Sequence, residues 1–107
     1  MKAYIITIPG NKLSEEAADV CIRSSLTVGN EFLIKKFSAV TPDNVKGVMH
    51  INEIVWNYPW KGEVQDFQTG LVKKAYPTKN PARRMACAMS HFKLWSRSYI
   101  RNEDILI

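Results

Sequence analysis

The chain has 107 residues, of which 46% are hydrophobic and 10% aromatic, so it can form one globular domain with a real core, and this composition argues against a disordered chain. Its 15 Lys and Arg residues against 10 Asp and Glu residues give a net charge of +5, which favours anionic partners such as phosphate-bearing small molecules, nucleic acid or anionic lipid. No apolar run approaches the roughly 20 residues of a membrane-spanning helix, and there is no signal-peptide pattern, so we expect a cytoplasmic protein without a membrane span.

The first predicted unit is a strand, a loop and a helix. Residues 3–8 form a continuous β-rich apolar run, which is typical of a central strand covered on both faces. Residues 9–11 interrupt the run, and Ser14 is a suitable N-cap for a helix that ends by Gly29. The stripe predicted to face inward on this helix consists of Ala17, Val20, Cys21 and Ser24.

The middle of the chain is predicted to hold a second strand and then shorter elements. Residues 31–40 read as a strand whose packed residues are Phe32, Ile34 and Phe37. A helical turn is predicted over residues 42–46, and residues 49–55 form either a short strand or a helix. Residues 56–81 are predicted to be mostly loop. The loop's aromatic side chains could stack on bases or a sugar ring, but folding over the sheet is favoured; they are Trp56, Tyr58 and Trp60.

The longest predicted element is a helix over residues 80–102. Asn80 suits the N-cap and Pro81 the first helical position. Apolar residues that recur every three or four positions predict one core-facing stripe: Met85, Met89, Phe92, Trp95 and Tyr99. Residues 105–107 then read as a buried strand, so the order of elements predicts an α/β fold with a largely parallel sheet.

Candidate anion sites lie where strands end and helices begin. Ligands of parallel sheets bind beyond the carboxyl ends of the strands, which here means residues 7–12 and 40–43. The sequence PGNK at residues 9–12 is neither a dinucleotide-binding motif nor a P-loop, and a tight turn with an exposed Lys12 is favoured over a phosphate contact. Arg83 and Arg84, at the start of the long helix, fit an anion site and a solvated helix start equally well.

Cys87, Ser90 and His91 are close together on the long helix. A nucleophilic Cys–His pair or a metal site would need an orienting carboxylate or a third ligand in register, and neither is present on that face. His91 is therefore predicted to be a packing residue, with ligand contact as the alternative. Cys21 and Cys87 lie on separate predicted helices and are most simply reduced thiols.

Three segments in this order resemble glycosyltransferase family 25, the lipooligosaccharide-type sugar transferases. CAMSHFKLW at residues 87–95 resembles the family's Cys-x-x-Ser-His-x-x-Leu-Trp segment, YIITI at residues 4–8 its opening strand, and FSAV at residues 37–40 its Phe-x-Ala-Val element. The chain departs from the family's pattern at three positions. Thr7 stands in place of the usual Asn, Ala86 in place of a Gly, and Arg84 where an acidic residue is common.

The resemblance implies that residues 1–107 are a single, truncated nucleotide-sugar-binding α/β domain. Its fold would be a Rossmann-like (GT-A type) partial domain with a mainly parallel sheet flanked by helices. The whole enzyme would transfer a sugar from a nucleotide-diphosphate donor to a lipopolysaccharide-like glycan acceptor. The implied nucleotide-binding residues are Thr7, Ile8, Pro9, Val40, Thr41, Arg84, Ser90 and His91.

The same resemblance implies a metal that this chain does not hold by itself. The family's acidic cluster, which binds a divalent ion (Mn or Mg) on the donor diphosphate, would come after Ile107. We therefore expect no cofactor, no catalytic residue and no transferase activity in this chain alone. The apolar edge of the last strand also predicts a homo-oligomer.

A rival interpretation is a small basic module that binds nucleic acid or another anion. It would use the aromatic loop together with Lys35, Lys36, Lys73 and Lys74. Nucleic acid is the less favoured partner, because the basic residues are spread along the whole chain and charged side chains are usually solvated.

Overall fold

A computed structural model describes residues 1–29, 32–57, 63–74 and 79–107 of the chain. Its elements are β1 (Lys2–Thr7), α1 (Lys12–Thr27), β2 (Ile34–Ser38), α2 (Val45–Ile51), β3 (Glu63–Gln65), β4 (Val72–Lys74), α3 (Pro81–Arg101) and β5 (Ile105–Leu106). Three strands form a parallel sheet in the order β2-β1-β5, and β3 and β4 form an antiparallel hairpin. The predicted α/β fold with a parallel sheet flanked by helices is confirmed, and it is compatible with a Rossmann-like partial fold.

The first strand is central in the parallel sheet, as predicted. β1 pairs with β2 from Ala3↔Ile34 to Thr7↔Ser38, while β5 pairs with Lys2 and Ala3 at the other edge. The Lys2 ammonium also lies 3.0 Å from a Glu103 carboxylate oxygen, so the segment before β5 is tied to the start of β1.

The predicted start and orientation of α1 were wrong. Asn11, not Ser14, caps the helix: its Oδ1 accepts the Ser14 N–H at 3.0 Å. The predicted inward residues Ala17, Val20, Cys21 and Ser24 are exposed, and Ala18 is buried instead. Lys36 of β2 explains this rotation, because its Nζ lies 2.8 Å from carboxylate oxygens of both Glu15 and Asp19 and holds that side of α1 against the sheet.

The middle elements are shorter than predicted, and the loop contains a hairpin. β2 covers only residues 34–38, where Ile34 and Phe37 are half-buried, while Phe32 before it is exposed. Residues 45–51 are helical. The segment 49–55, for which the sequence left strand and helix open, therefore begins as a helix. The β3–β4 hairpin corrects the predicted long loop. Trp56 is half-buried against the core, whereas Tyr58 and Trp60 lie outside the described residues.

α3 begins and ends where the sequence predicts, but only part of its predicted stripe is buried. Asn80 Oδ1 accepts the Arg83 N–H at 3.2 Å, and Asn102 ends the helix in a left-handed conformation. The buried residues of α3 are Ala86, Met89, Ser90 and Leu94. Met85 and Phe92 are half-buried, while Trp95 and Tyr99 are exposed.

The core lies between α2, α3 and the end of β2. Its buried cluster consists of Val40, Val45, Met49, Ala86 and Met89. Ala86 and Ser90 are buried where α3 meets this end of the sheet, and Ser90 Oγ accepts the Val40 N–H there at 2.9 Å. No helix in the described part of the chain is long and apolar enough to cross a membrane.

Candidate functional site

A cleft of about 760 Å³ opens at the carboxyl ends of β1 and β2. The segment after β1 forms one wall, the segment after β2 forms a second, and the first three turns of α3 close the third side. Its lining residues are Ile6, Ile8, Pro9, Asn11, Ser14, Ala39, Val40, Thr41, Pro42, Asp43, Arg83, Ala86, Cys87, Ser90 and His91. This is the edge at which parallel sheets bind their ligands.

Six of the eight residues predicted to bind a nucleotide lie together in this cleft: Ile8, Pro9, Val40, Thr41, Ser90 and His91. The remaining two, Thr7 and Arg84, are not among its lining residues. Thr7 is buried, and its carbonyl oxygen accepts the Ala39 N–H at 2.7 Å, so it supports the cleft through the backbone. Arg84 is half-buried, and the neighbouring Arg83 contributes to the cleft instead.

The wall that follows β2 is held by side chains that accept its backbone N–H groups. Ser90 Oγ accepts the Val40 N–H at 2.9 Å and donates to the Ala86 carbonyl oxygen at 2.8 Å. Asn44 Oδ1 accepts the Thr41 N–H at 2.9 Å. Because each N–H is fixed by a side chain of another segment or turn, Val40 and Thr41 face the cleft in one defined geometry.

The wall that follows β1 leads directly into the N-terminus of α1. Gly10 has a φ of 73°, a left-handed conformation that glycine adopts without strain, and it brings Asn11 back to donate to the Ile8 carbonyl oxygen at 3.1 Å. Ser14 Oγ accepts the Ile8 N–H at 2.9 Å. Asn11 and Ser14 therefore place the positive end of the α1 dipole at the cleft, where it favours an anion.

Polar groups of α3 form the third wall. Arg83, Cys87 and His91 are four residues apart and share one helix face, so all three reach the cleft. The His91 Nδ1–H donates to the Cys87 carbonyl oxygen at 3.0 Å, since a carbonyl can only accept. This bond uses the backbone of Cys87 rather than its thiol, and it leaves the Nε2 atom of His91 for a ligand.

The described residues do not supply a metal site at this cleft. Among them no group of three or more His, Cys, Asp or Glu residues is arranged to hold a metal ion, and Asp43 is the single carboxylate among the lining residues. The divalent ion implied by the family resemblance therefore does not fit the residues present here, and no step is assigned to it.

The basic residues of the rival nucleic-acid interpretation are partly engaged elsewhere. Lys36 contacts Glu15 and Asp19, and Lys73 lies 2.7 Å from an Asp66 carboxylate oxygen. Lys35 is exposed on β2, and the side chain of Lys74 lies outside the described part of the chain. Lys12 pairs with Glu16 at 3.7 Å and does not line the cleft, in agreement with the exposed lysine that the sequence favoured.

The sequence marked Arg83 and Arg84 together as a candidate anion site, but only Arg84 was among the predicted nucleotide-binding residues, and helix geometry favours Arg83. Counting back from His91 in steps of four reaches Cys87 and then Arg83, whereas Arg84 lies on another face. Asn11 and Asp43 lie within the rim segments 7–12 and 40–43 that the strand ends predicted, but they were not among the eight predicted nucleotide-binding residues.

Comparison with known proteins identified no relative of this chain. No protein-family model, no curated protein and no solved structure matches the chain.

Proposed function

We propose that this chain is the nucleotide-binding portion of a glycosyltransferase and that its cleft holds a nucleotide-diphosphate sugar. The observation that carries the proposal is the position of the cleft, at the carboxyl ends of two adjacent parallel strands and beside the N-terminus of α1. This is where open parallel sheets bind phosphate-bearing ligands. The segments that resemble family 25 supply seven of the fifteen lining residues.

The two kinds of surface in the cleft suit the two parts of such a donor. Ile8, Pro9 and Val40 offer an apolar wall for a planar base or a sugar ring. Arg83 and the N-terminus of α1 offer positive potential for the diphosphate, because a guanidinium forms charge-assisted bonds with phosphate oxygens. His91 Nε2 and the Thr41 hydroxyl remain as polar groups that orient the ligand.

The proposal assigns donor binding, and no transfer step, to the described residues. The acceptor would be a glycan of the lipopolysaccharide type, as the resemblance implies, and it would have to approach the sugar end of the donor. Because the single carboxylate of the cleft is Asp43, we expect no metal-dependent sugar transfer by these 107 residues alone.

Calorimetric titration with uridine diphosphate and with the other nucleoside diphosphates tests donor binding. We expect at least one of them to bind, and Arg83→Ala to weaken its binding about tenfold, as loss of a charge-assisted hydrogen bond would. Arg101→Ala is the matched control, since Arg101 ends the same helix and does not line the cleft. Absence of binding by every nucleoside diphosphate, or equal loss in both variants, would contradict the proposal.

The same titration distinguishes the rival anion-binding module. A salt-dependent affinity for single-stranded oligonucleotide that falls in Lys35→Ala and Lys73→Ala, with no affinity for nucleoside diphosphates, would favour the rival. The ion pairs of Lys36 and Lys73 with neighbouring carboxylates make these side chains less available for phosphate groups.

A further inference from the structure

A second concave surface lies where the C-terminal half of α3 passes the end of α2. It encloses about 310 Å³ and shares no lining residue with the cleft. Its polar lining residues are Asn52, Lys93, Ser96, Arg97 and Arg101. We call this surface the basic groove, because each charged side chain that lines it is a cation.

Arg97 is held in the basic groove by two aromatic rings of the parallel sheet. Its guanidinium carbon lies 5.6 Å from the ring centroid of Tyr4 on β1 and 5.6 Å from that of Phe37 on β2. Both distances are within the range of cation–π attraction. The two rings also contact each other edge to face, with centroids 6.4 Å apart. Arg97 is half-buried, and its charged group is therefore positioned before any ligand binds.

The guanidinium of Arg97 has donors that the described residues do not use. Among the residues that the structure describes, Arg97 forms no ion pair with a carboxylate, and its N–H groups form no hydrogen bond. The aromatic rings attract the cation, but they do not supply the oxygen acceptors that its planar fork of donors matches. The guanidinium is therefore free to donate two parallel N–H bonds to an oxyanion, the geometry in which arginine binds phosphate and carboxylate groups.

The charge of the basic groove favours phosphate over carboxylate. Lys93 and Arg101 lie four residues to either side of Arg97 on α3, and neither forms an ion pair in the described part of the chain. Like charges at this spacing on a helix repel each other, so a ligand with more than one negative charge is stabilised most. A phosphate monoester carries between about 1.5 and 2 negative charges at pH 7, whereas a carboxylate carries one.

The carboxylates nearest in sequence to the basic groove lie outside it. Glu53 follows the end of α2, and Glu103 and Asp104 follow α3, but none of the three lines the groove. The pKa of Glu103 is lowered mainly by its hydrogen bond from Lys2, with a smaller contribution from the charge of Arg101. The Glu103 carboxylate lies 3.0 Å from the Lys2 ammonium, so it is already paired.

We propose that the basic groove binds a phosphate group, with the Arg97 guanidinium donating to two of its oxygens and with Lys93 and Arg101 adding positive charge on either side. Two neutral donors complete the site. The Asn52 amide uses one N–H on a backbone carbonyl oxygen of α2 at 2.7 Å and keeps the second, and the Ser96 hydroxyl makes no hydrogen bond within the described residues. The site does not depend on the nucleotide proposed for the cleft.

Amide chemical shifts of the isotope-labelled 107-residue chain, titrated with inorganic phosphate at constant ionic strength, test the proposal. We expect the amides of Asn52, Arg97 and Ile100 to shift and to approach saturation by about 10 mM phosphate, since a small anion on an open surface binds in the millimolar range. Acetate should bind about tenfold more weakly at the same amides, because it carries a single charge.

Substitutions separate the basic groove from a general attraction of anions to a basic protein. Arg97→Met keeps an apolar side chain on the two rings but removes the charge and its donors, and it should weaken phosphate binding about tenfold. Arg97→Lys keeps the charge and loses the fork of donors, so it should weaken binding about threefold. Arg23→Met is the matched control, because it removes an exposed arginine charge from α1, outside the groove, and should leave the affinity unchanged.

Lys93→Met keeps the proposal testable if substitution of Arg97 disturbs the fold. Lys93 is exposed and is not a partner of the two aromatic rings, so the amide spectrum of this variant should stay close to that of the wild type. Its phosphate affinity should fall about threefold through loss of one nearby charge.

The basic groove and the cleft are tested apart. Arg97→Met and Arg101→Ala should keep nucleoside-diphosphate binding as read at the Val40 and Thr41 amides, because neither side chain lines the cleft. Arg83→Ala should keep phosphate binding as read at the groove amides. Either proposal can therefore fail without the other.

Two further titrations identify the source of the phosphate group, which is either a soluble phosphate monoester or the headgroup of an anionic lipid. Glycerol phosphate represents the first, and phosphatidylcholine vesicles with and without phosphatidic acid represent the second. A soluble source predicts shifts of the groove amides with glycerol phosphate and no vesicle binding. A lipid source predicts cosedimentation with phosphatidic acid vesicles alone, which Arg97→Met removes and Arg23→Met retains.

Three results would overturn the proposal. They are an absence of shifts at the groove amides, equal affinities for phosphate and acetate there, and equal phosphate affinities in Arg23→Met and in both Arg97→Met and Lys93→Met.

Discussion

Ser90 connects α3 to the wall of the cleft through a single hydroxyl. Its side chain is almost completely buried, accepts the Val40 N–H at 2.9 Å and donates to the Ala86 carbonyl oxygen at 2.8 Å. Val40 is buried as well, with 5% of its surface exposed. The Ser90 hydroxyl oxygen thus accepts the backbone N–H of Val40 at the point where β2 leads into the cleft.

Ser90→Ala should destabilise the protein by about 1–3 kcal/mol, because it leaves a buried backbone N–H without an acceptor. Chemical denaturation measures the change. Ser96→Ala is the matched control, since Ser96 is on the same helix and its hydroxyl makes no hydrogen bond within the described residues; its free energy of unfolding should stay close to that of the wild type. Equal effects of the two substitutions would show that the Ser90 bond to Val40 does not contribute to stability.

A three-residue ion cluster links α1 to β2. The Lys36 ammonium donates to Asp19 and thereby lowers the pKa of the Asp19 carboxyl, while Asp19 and Glu15 together raise the pKa of Lys36. Hydrogen bonding is the largest cause in both cases. The cluster lies at the surface, so its main structural consequence is the orientation of α1.

The ion cluster predicts how stability changes with pH. A lowered carboxyl pKa means that folding favours the ionised form, so the contribution of Asp19 is present above its unfolded pKa and is lost as the pH falls below about 4. The raised pKa of Lys36 means that its contribution is lost only as the pH rises past its folded pKa. We expect denaturation experiments to show a lower free energy of unfolding at pH 3 than at pH 5.

Asp19→Asn and Lys36→Met should each make this acid dependence shallower, and their effects should be less than additive in the double variant, because both remove the bond between Asp19 and Lys36. Part of the dependence remains in all three, because Lys2 lowers the pKa of Glu103 and Lys73 lowers that of Asp66 in the same direction. Additive changes in the double variant would mean that Asp19 and Lys36 do not titrate as a pair in the folded protein.

The positions of the elements could be predicted from the sequence better than the faces of the helices. Asn80, Pro81 and Asn102 are local signals, and α3 begins and ends at them. The side of α1 that faces the sheet, in contrast, is the side that contacts Lys36, which lies on β2 and is distant in sequence. No local pattern contains that contact, and the apolar stripe of α1 therefore pointed to the wrong side.

The cleft was largely predictable because it follows from the order of elements. Any parallel pair with a helical crossover brings the ends of its strands to one edge, so the segments after β1 and β2 could be placed together without coordinates. The α3 wall could not be placed in this way, since its approach depends on the buried Ser90 and Ala86. Because α3 lies against the sheet in this orientation, Arg83 and not Arg84 lines the cleft.

At the scale of the whole molecule, stability is distributed unevenly. The parallel sheet and α3 surround the buried core, whereas the β3–β4 hairpin makes its main contacts within itself. The hairpin's turn and strand residues Phe67, Leu71 and Val72 are all exposed. An isolated two-stranded hairpin is only marginally stable, so we infer that this one opens independently of the parallel sheet.

Native-state hydrogen exchange tests this difference between the two sheets. The Ala39 N–H bond to Thr7 and the Gly70 N–H bond to Asp66 are equally short, 2.7 Å each, so bond length predicts equal protection. Burial predicts unequal protection of the two amides. The Gly70 N–H should exchange with an opening free energy of about 1 kcal/mol or less, and the Ala39 N–H with one close to that of global unfolding. Asp66→Ala removes the acceptor of the Gln68 N–H and the Lys73 ammonium, and it should speed exchange in the hairpin while leaving Ala39 unchanged. Equal exchange of Gly70 and Ala39 would instead show that the hairpin and the parallel sheet unfold as one cooperative unit.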